Sequence, residues 1–349
     1  MSVSGSARET IPVRTAHRFD EAALAAWLDA RMGGAAPLAV EQMAGGQSNP
    51  TFLLRRGAEE LVLRKKPPGP LLPSAHAVDR EFRVLSALHP LGIPVPRPLF
   101  FCEDAGVIGT PFYVMERMRG RVLRANDLPG MAPAERAAIY DAMNATLAQL
   151  HGVDVAAAGL ADYGKPGDYY ARQIDRWTRQ WRASKIRELP ALEKLVDWLP
   201  KNLPPDGDEV AVCHGDFRLE NLMFDAHEPR VIAIFDWELS TLGPPLADLA
   251  YACIPWEMGD MPGLTGLRGL DLAALGIPTE AAFVARYLAR TGRRDGVTPF
   301  HLAFSMFRLA AILEGVLARA KAGNAAAASA EAIGALGRDF ADRAWEIVS

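Results

Sequence analysis

The sequence predicts an α+β chain in two parts, a β-rich first third and a mainly helical remainder. Three observations carry this. Before residue 118 the apolar residues fall in short runs broken by Gly, Pro and polar turns. After Pro133 they recur at helical spacing. At 349 residues the chain exceeds one ordinary core, so two lobes are expected, 21–118 and 119–349, behind a polar tail at 1–20.

Each element has a local reason. Asp20–Met32 reads as a helix, with Asp20 as N-cap and Ala23, Leu24, Trp27 and Leu28 on its apolar face. Strands follow at Leu38–Met43, Thr51–Arg55 and Leu61–Arg64, the first two joined by Ala44-Gly-Gly-Gln-Ser-Asn-Pro50. Ser74–Leu88 has helical spacing at Ala77, Phe82, Leu85 and Leu88, and its Glu81 is the natural counter-ion for Arg64. Lys65 alternates to the opposite face of its strand from Arg64. Strands near Leu99–Cys102 and Phe112–Met115 complete a five-stranded antiparallel sheet. The later helices are Pro133–Leu150, Asp168–Ser184, Thr279–Arg290, Pro299–Lys321 and Ala325–Ile347.

The chemistry concentrates in Val212–Asp236. An apolar run ends in His214-Gly215-Asp216, and Asn221 follows Asp216 by five positions. A second run, Val231–Phe235, ends in Asp236. Asp225-Ala-His-Glu-Pro229 is a turn cluster, so Leu222–Asp225 and Val231–Asp236 form a β-hairpin whose open end brings Asn221 and Asp236 together. An amide oxygen and a carboxylate are hard ligands suited to one or two Mg²⁺ ions. Asp216, in the loop before them, is a carboxylate free to take a proton from a hydroxyl nucleophile.

This arrangement resembles the catalytic core of the protein-kinase-like two-lobed fold, in its aminoglycoside/choline phosphotransferase branch, which writes its catalytic loop H-G-D-x-x-x-x-N. The resemblance covers roughly residues 38–260 and implies a role for each matching position. Asp216 would be the catalytic base, and Asn221 and Asp236 the metal ligands. His214 would pack beneath the loop and order it, and Asp248 would brace the loop backbone. Gly45, Gly46, Ser48 and Asn49 would lie in a loop covering the nucleotide phosphates. Arg64, paired with Glu81, would clamp the α- and β-phosphates, and Glu116 and Met118 would lie at the hinge that meets adenine. Trp237 follows Asp236 where kinases have Phe-Gly, a departure common in this branch. Within the branch, Leu63–Glu81 and Asp236–Ala250 resemble kinase-like domains associated with acyl-CoA dehydrogenases. The implied activity is ATP- and Mg²⁺-dependent phosphorylation of a small hydroxylated substrate, a hydroxyacyl-CoA among the candidates, with a functional link to an acyl-CoA dehydrogenase. Two alternatives stay open: an aminoglycoside acceptor, and a pseudokinase-type module that binds nucleotide or acyl-CoA.

Composition narrows the partners. A net charge of −4 and a pI near 6.0 give no global attraction to nucleic acid or a membrane surface. The N-terminus has no apolar signal region, and no later segment reads as membrane-spanning. Cys102, Cys213 and Cys253 are scattered without a CxxC, as expected of reduced thiols in a cytoplasmic protein. Gly159-x₄-Gly164-Lys165 imitates a P-loop, but Pro166 stands where a metal-binding hydroxyl is needed. The Asp168–Ser184 helix carries Tyr170, Ile174, Trp177 and Trp181 on one side, a core stripe. Arg172, Arg176 and Arg179 lie on its other side as candidate contacts for an anionic substrate.

Overall fold

The structure is a computed structural model that describes residues 9–44, 49–67, 77–165, 167–205, 209–261, 264–322 and 330–349. Its contacts divide the chain into two compact units, Met1–Arg119 and Gly120–Ser349.

The first unit contains, in order, β1 (Thr10–Ile11), α1 (Glu21–Met32), β2 (Leu38–Met43), β3 (Thr51–Arg56), β4 (Glu59–Lys65), α2 (Val78–Leu88), β5 (Pro98–Cys102), α3 (Ala105–Ile108) and β6 (Phe112–Glu116). The sheet is antiparallel in the order β1-β2-β3-β4-β6-β5. It has six strands where five were expected, because Thr10 and Ile11 pair with Met43 and Gln42. Residues 9–20 are therefore built into this unit and are not a loose tail. Arg14 N–H donates to Gln42 Oε1 at 3.0 Å, and Thr10 Oγ1 donates to Glu41 Oε2 at 2.6 Å.

Alternation gives the sheet two distinct faces. Leu61 and Leu63 of β4, with Phe52, Leu54, Phe112 and Val114, pack with Leu24 and Leu28 of α1 in one apolar cluster. Lys65 shares that parity and is buried there, 5.5 Å from the centre of the Phe19 ring. Arg64 and Tyr113, paired across β4 and β6, have the opposite parity and meet α2 through Glu81. Asp20 caps α1 as expected, its Oδ1 accepting from Ala23 N–H at 2.9 Å.

The second unit holds β7 (Arg121–Val122), α4 (Pro133–His151), α5 (Tyr169–Ser184), α6 (Pro190–Trp198), β8 (Ala211–Cys213), β9 (Leu222–Phe224), β10 (Val231–Ile234) and β11 (Thr241–Gly243). Six more helices follow: α7 (Pro245–Glu257), α8 (Leu272–Leu275), α9 (Glu280–Thr291), α10 (Pro299–Lys321), α11 (Ala330–Ala335) and α12 (Gly337–Val348). Strands β10-β9-β7 form one small sheet and β11-β8 another. The stretch expected as one helix over Ala325–Ile347 is two within its described part, with Leu336 between them.

The core of this unit gathers around α10, against Tyr170, Ile174, Trp177 and Trp181 of α5, Leu192 and Leu195 of α6, and Phe340 and Ala344 of α12. The α5 aromatic stripe is thus core, as its spacing predicts. Contrary to the sequence expectation, α10 is long and apolar enough to cross a membrane, but 83% of its apolar window is buried inside the protein. It is the central helix of a folded core.

One acid pair in this unit gives the fold a pH dependence. Glu280 opens α9 beside Glu257 at the end of α7, and Glu257 Oε2 accepts from Arg343 of α12 at 2.6 Å. Burial first, then the hydrogen bond and charge of Glu257, push the Glu280 carboxyl up to about 7. A raised folded pKa means that the folded state holds the proton more tightly than the unfolded chain. The associated stability is complete below the ordinary glutamate value and is lost as pH rises through about 7. Glu280→Gln, uncharged but able to donate to Glu257, should remove this loss. Melting temperatures measured from pH 5 to pH 8 should show the variant gaining on the wild type as pH rises, and parallel curves would contradict the assignment.

Candidate active site

In the second unit, β8 delivers the chain into His214-Gly215-Asp216, and a buried carboxylate receives it. Asp248, in the first turn of α7, accepts from His214 N–H at 2.5 Å and Gly215 N–H at 2.8 Å. His151 Nε2 of α4 lies 3.4 Å from the same carboxylate. Burial would raise the Asp248 carboxyl, but the His151 hydrogen bond and the backbone donors outweigh it and hold it below the usual range. Gly215 has φ +83°, and a Cβ there would stand 2.6 Å from the Leu239 carbonyl oxygen, so only glycine fits.

His214 is fully buried and both its ring nitrogens are used. Nδ1 accepts from Asp216 N–H at 3.1 Å, and Nε2 donates to the Phe235 carbonyl at 2.7 Å. This ties the loop to the end of β10, where the chain turns into Asp236. The ring also packs edge-on against Trp237 at 4.7 Å.

The hairpin forms as its turn chemistry predicts. Strand β9 pairs with β10 across a bulge, and Phe235 N–H donates to the Asn221 carbonyl at 2.8 Å. Asn221 thus lies opposite Phe235, one residue short of Asp236. Its Nδ2 donates to the Asp216 carboxylate at 2.7 Å and to the Asp216 carbonyl at 2.8 Å. The amide nitrogen is spent on the loop, which leaves the amide oxygen as the atom that could hold a metal. Asp236 adopts a left-handed conformation, φ 65° and ψ 62°, uncommon for a non-glycine residue and found disproportionately at functional sites.

Two neighbours of Asp216 escaped the sequence reading. Arg218 Nε lies 3.4 Å from Asp216 Oδ1, and its Nη1 is 3.0 Å from Glu220. Asp216 first, with Tyr251, Glu220 and Asp236, holds its positive charge firmly. Arg218 occupies a variable position of the H-G-D-x-x-x-x-N pattern, two residues after Asp216, where its charge was visible. Tyr251 is one turn of α7 beyond Asp248, and burial followed by the charge of Asp216 raises its hydroxyl well above the usual phenol value.

In the first unit, Glu81 is 1% exposed and receives three partners. Arg64 Nε lies 3.1 Å from Oε2, Tyr113 Oη donates to Oε2 at 2.9 Å, and Asn49 Nδ2 donates to Oε1 at 2.5 Å. The Asn49 side chain therefore helps to hold Glu81 in place. Glu116 ends β6 with its carboxylate accepting from Arg97 N–H at 2.7 Å, and Met118 is half-buried. Gly45, Gly46 and Ser48 lie outside the described residues.

The arginines of α5 face outward. Arg176 and Arg179 are exposed, while Arg172 donates to the Lys165 carbonyl at 2.6 Å. Arg179 pairs with Asp175 one turn away. An exposed pair of that spacing contributes only about 0.3–0.5 kcal/mol, so it is easily exchanged for a ligand anion. The side chains of His151, Cys213 and Asp248 also converge, with ligand atoms within 4.8 Å of one another. The Asp248 oxygens already serve two backbone N–H groups and His151 Nδ1 meets Tyr287 Oη at 2.7 Å, so the trio is a hydrogen-bonded brace.

Residues 39–300 match the phosphotransferase enzyme family. A Ralstonia eutropha protein, whose crystal structure carries a provisional aminoglycoside phosphotransferase assignment, is 48% identical, with a TM-score of 0.84 over 95% of this chain and 98% of that one. Spectinomycin phosphotransferase, solved with ADP and spectinomycin, shares the fold at 12% identity, with a TM-score of 0.61 over 95% of this chain and 98% of that one. Among curated proteins, mouse acyl-CoA dehydrogenase family member 10 is 44% identical over 97% of this chain and 32% of its own length. Human family member 11 is 43% identical over 88% of this chain and 40% of its own length. The chain spans less than half the length of these curated relatives. A match to the family over most of the chain, on the same α+β kinase-like fold, makes this protein a member of the phosphotransferase enzyme family.

Proposed function

We propose that this chain is an ATP- and Mg²⁺-dependent phosphotransferase acting on a small-molecule hydroxyl, and that its acceptor is a hydroxyacyl-CoA. The observation that carries the reaction class is the Asp216 carboxylate, fixed by Asn221 in a loop whose backbone Asp248 braces. Asp216 takes the acceptor's proton as the oxygen–phosphorus bond forms, the bond from the γ-phosphorus to its bridging oxygen breaks, and ADP leaves. The donor set fits a hard divalent cation, since the Asn221 amide oxygen and the Asp236 carboxylate are oxygen ligands. Mg²⁺ bound there supplies charge neutralisation of the phosphate oxygens. Arg218 adds a cation beside the base, and Arg64, steadied by buried Glu81, offers a planar donor to phosphate.

The acceptor reading rests on charge and on the curated relatives' names. From Pro255 to Ser349 ten acids are balanced by ten bases, and Arg172–Arg187 adds six cations against Asp175 alone. A polycationic aminoglycoside needs a surplus of acids, whereas the phosphates of CoA suit exposed arginines. Relatives named as acyl-CoA dehydrogenase family members favour the thioester. The second reading, an aminoglycoside acceptor, is favoured by the names of the solved neighbours. Intact Asp216, Asn221 and Asp236 argue against a pseudokinase. ADP release measured against hydroxylated acids, hydroxyacyl-CoA esters and amino sugars tests these readings together.

Asp216→Asn should lower phosphoryl transfer by about 10²–10⁴-fold while leaving Mg·ATP affinity nearly unchanged. Turnover within a few-fold of wild type would remove Asp216 as the base.

Asp236→Ala should weaken Mg²⁺-dependent ATP binding more than Asp216→Asn does. Calorimetric titration of both variants with ATP and Mg²⁺ tests the order, and equal affinities would exclude Asp236 from metal binding.

In competition binding, acyl-CoA should bind more tightly than kanamycin-type compounds, and Arg176→Glu with Arg179→Glu should weaken acyl-CoA about tenfold or more. Tighter aminoglycoside binding, or unchanged acyl-CoA affinity in the double variant, would overturn the acceptor assignment.

A further inference from the structure

Arg308 sits within α10, flanked by Phe304, Phe307 and Ala311, and is itself only 4% exposed. A guanidinium in such a place is costly unless other groups satisfy it. Several groups offset its charge, although its Nε finds no hydrogen-bond partner among the described residues. Its Nη2 donates to the Gly215 carbonyl. Its Cζ lies 4.7 Å from the centre of the Tyr251 ring. The Tyr169 side chain at the start of α5 and the Asp248 and Asp216 carboxylates add negative potential. Burial alone would weaken its hold on the proton, but Tyr169, Tyr251 and the two acids reverse this, so the group stays charged.

The contact with Gly215 falls on a decisive bond. The Gly215 carbonyl and the Asp216 N–H belong to one rigid peptide plane. Arg308 holds the carbonyl edge, and His214 Nδ1 accepts from the N–H edge at 3.1 Å. With both edges held, the plane cannot rotate, and the direction in which Asp216 leaves the backbone is set. Tyr251, stacked under the guanidinium, also lies close enough to that carboxylate for its charge to act on the phenol. The family match ends at residue 300, so Arg308 lies beyond the segment that the family shares.

We infer that Arg308 is a positioning residue for phosphoryl transfer: by pinning the Gly215–Asp216 peptide plane it aims the Asp216 carboxylate at the acceptor hydroxyl. This rests on the assignment of Asp216 as the base. Misplacing a catalytic group by about 1 Å costs on the order of 10²-fold in rate, which sets the size of the effect.

The test compares wild type, Arg308→Lys and Arg308→Met in three measurements. These are turnover with the acceptor found by the ADP-release panel, Mg·ATP affinity by calorimetry, and amide hydrogen exchange of the peptide containing Gly215 and Asp216. The expected result for Arg308→Met is kcat lower by about 10²-fold, Mg·ATP affinity within a few-fold of wild type, and faster exchange in that peptide. Arg308→Lys, which keeps the charge and one donor, should recover part of both the rate and the protection. It carries the test alone if Arg308→Met fails to fold, and the expected signature is then lowered kcat at unchanged nucleotide affinity. A folded Arg308→Met with wild-type kcat and exchange would overturn the inference, as would kcat and nucleotide affinity falling in parallel in Arg308→Lys. If no acceptor is turned over by wild type, the reaction assignment fails separately, and the exchange measurement still decides whether Arg308 pins the loop.

Discussion

The catalytic loop depends on one buried charge. Asp248 is closed off from solvent, yet its carboxylate remains ionised because backbone and imidazole donors converge on it. Removing the donors would leave an isolated ion in low dielectric, and removing the ion would leave two buried N–H groups unmatched. Each side therefore enforces the other. The consequence is that β8, α4 and α7 meet at a single point, and the loop after β8 inherits its conformation from that junction. His214 extends the constraint to Phe235, so the two acidic ends of the loop and the hairpin share one framework.

The first unit repeats this logic with the signs arranged for a different task. Glu81 is buried and receives Arg64, Tyr113 and Asn49. Breaking a buried pair of this kind costs about 3–5 kcal/mol, far more than an exposed ion pair contributes. The guanidinium of Arg64 is consequently preorganised, and little ordering entropy would remain to be lost when it meets a phosphate. Lys65, its immediate neighbour, is kept from that role by strand parity alone, since it lies on the face that packs against α1.

Much of this was legible because local chemistry and tertiary need coincide. The Asp20 cap, the hairpin turn after Asp225 and the Pro299 helix start are short-range signals that the fold did not override. The Arg64–Glu81 pair was legible from a strand and a helix whose order fixed their partnership. What escaped has a common cause. The β1 pairing joins Thr10 to Met43, and no local signal marks a two-residue edge strand. Helix α7 contains Pro255, which argues against a helix until packing outweighs it. The bond of the Asn49 side chain to Glu81 spans 32 residues and has no local signal either. Arg308 is a cation in the apolar middle of α10, and nothing in its neighbourhood along the chain points 93 residues back to Gly215.

The same arginine bears on where α10 can reside. By length and composition that helix could be taken up by a bilayer. Insertion scales charge about 2.5–3.5 kcal/mol for an arginine at the centre of a spanning helix, and more for a second ionised group nearby. Arg308 lies near the middle of the 23-residue helix and Glu314 six positions on, each matched inside the folded unit, by the Gly215 carbonyl and by Arg187. In hydrocarbon both partners would be missing. Before folding brings those partners to α10, the two charges penalise the wrong solvent, and once folding does so the penalty becomes a reason for the helix to stay. The residue that contacts the loop after β8 thereby also favours the route by which its own helix reaches the core.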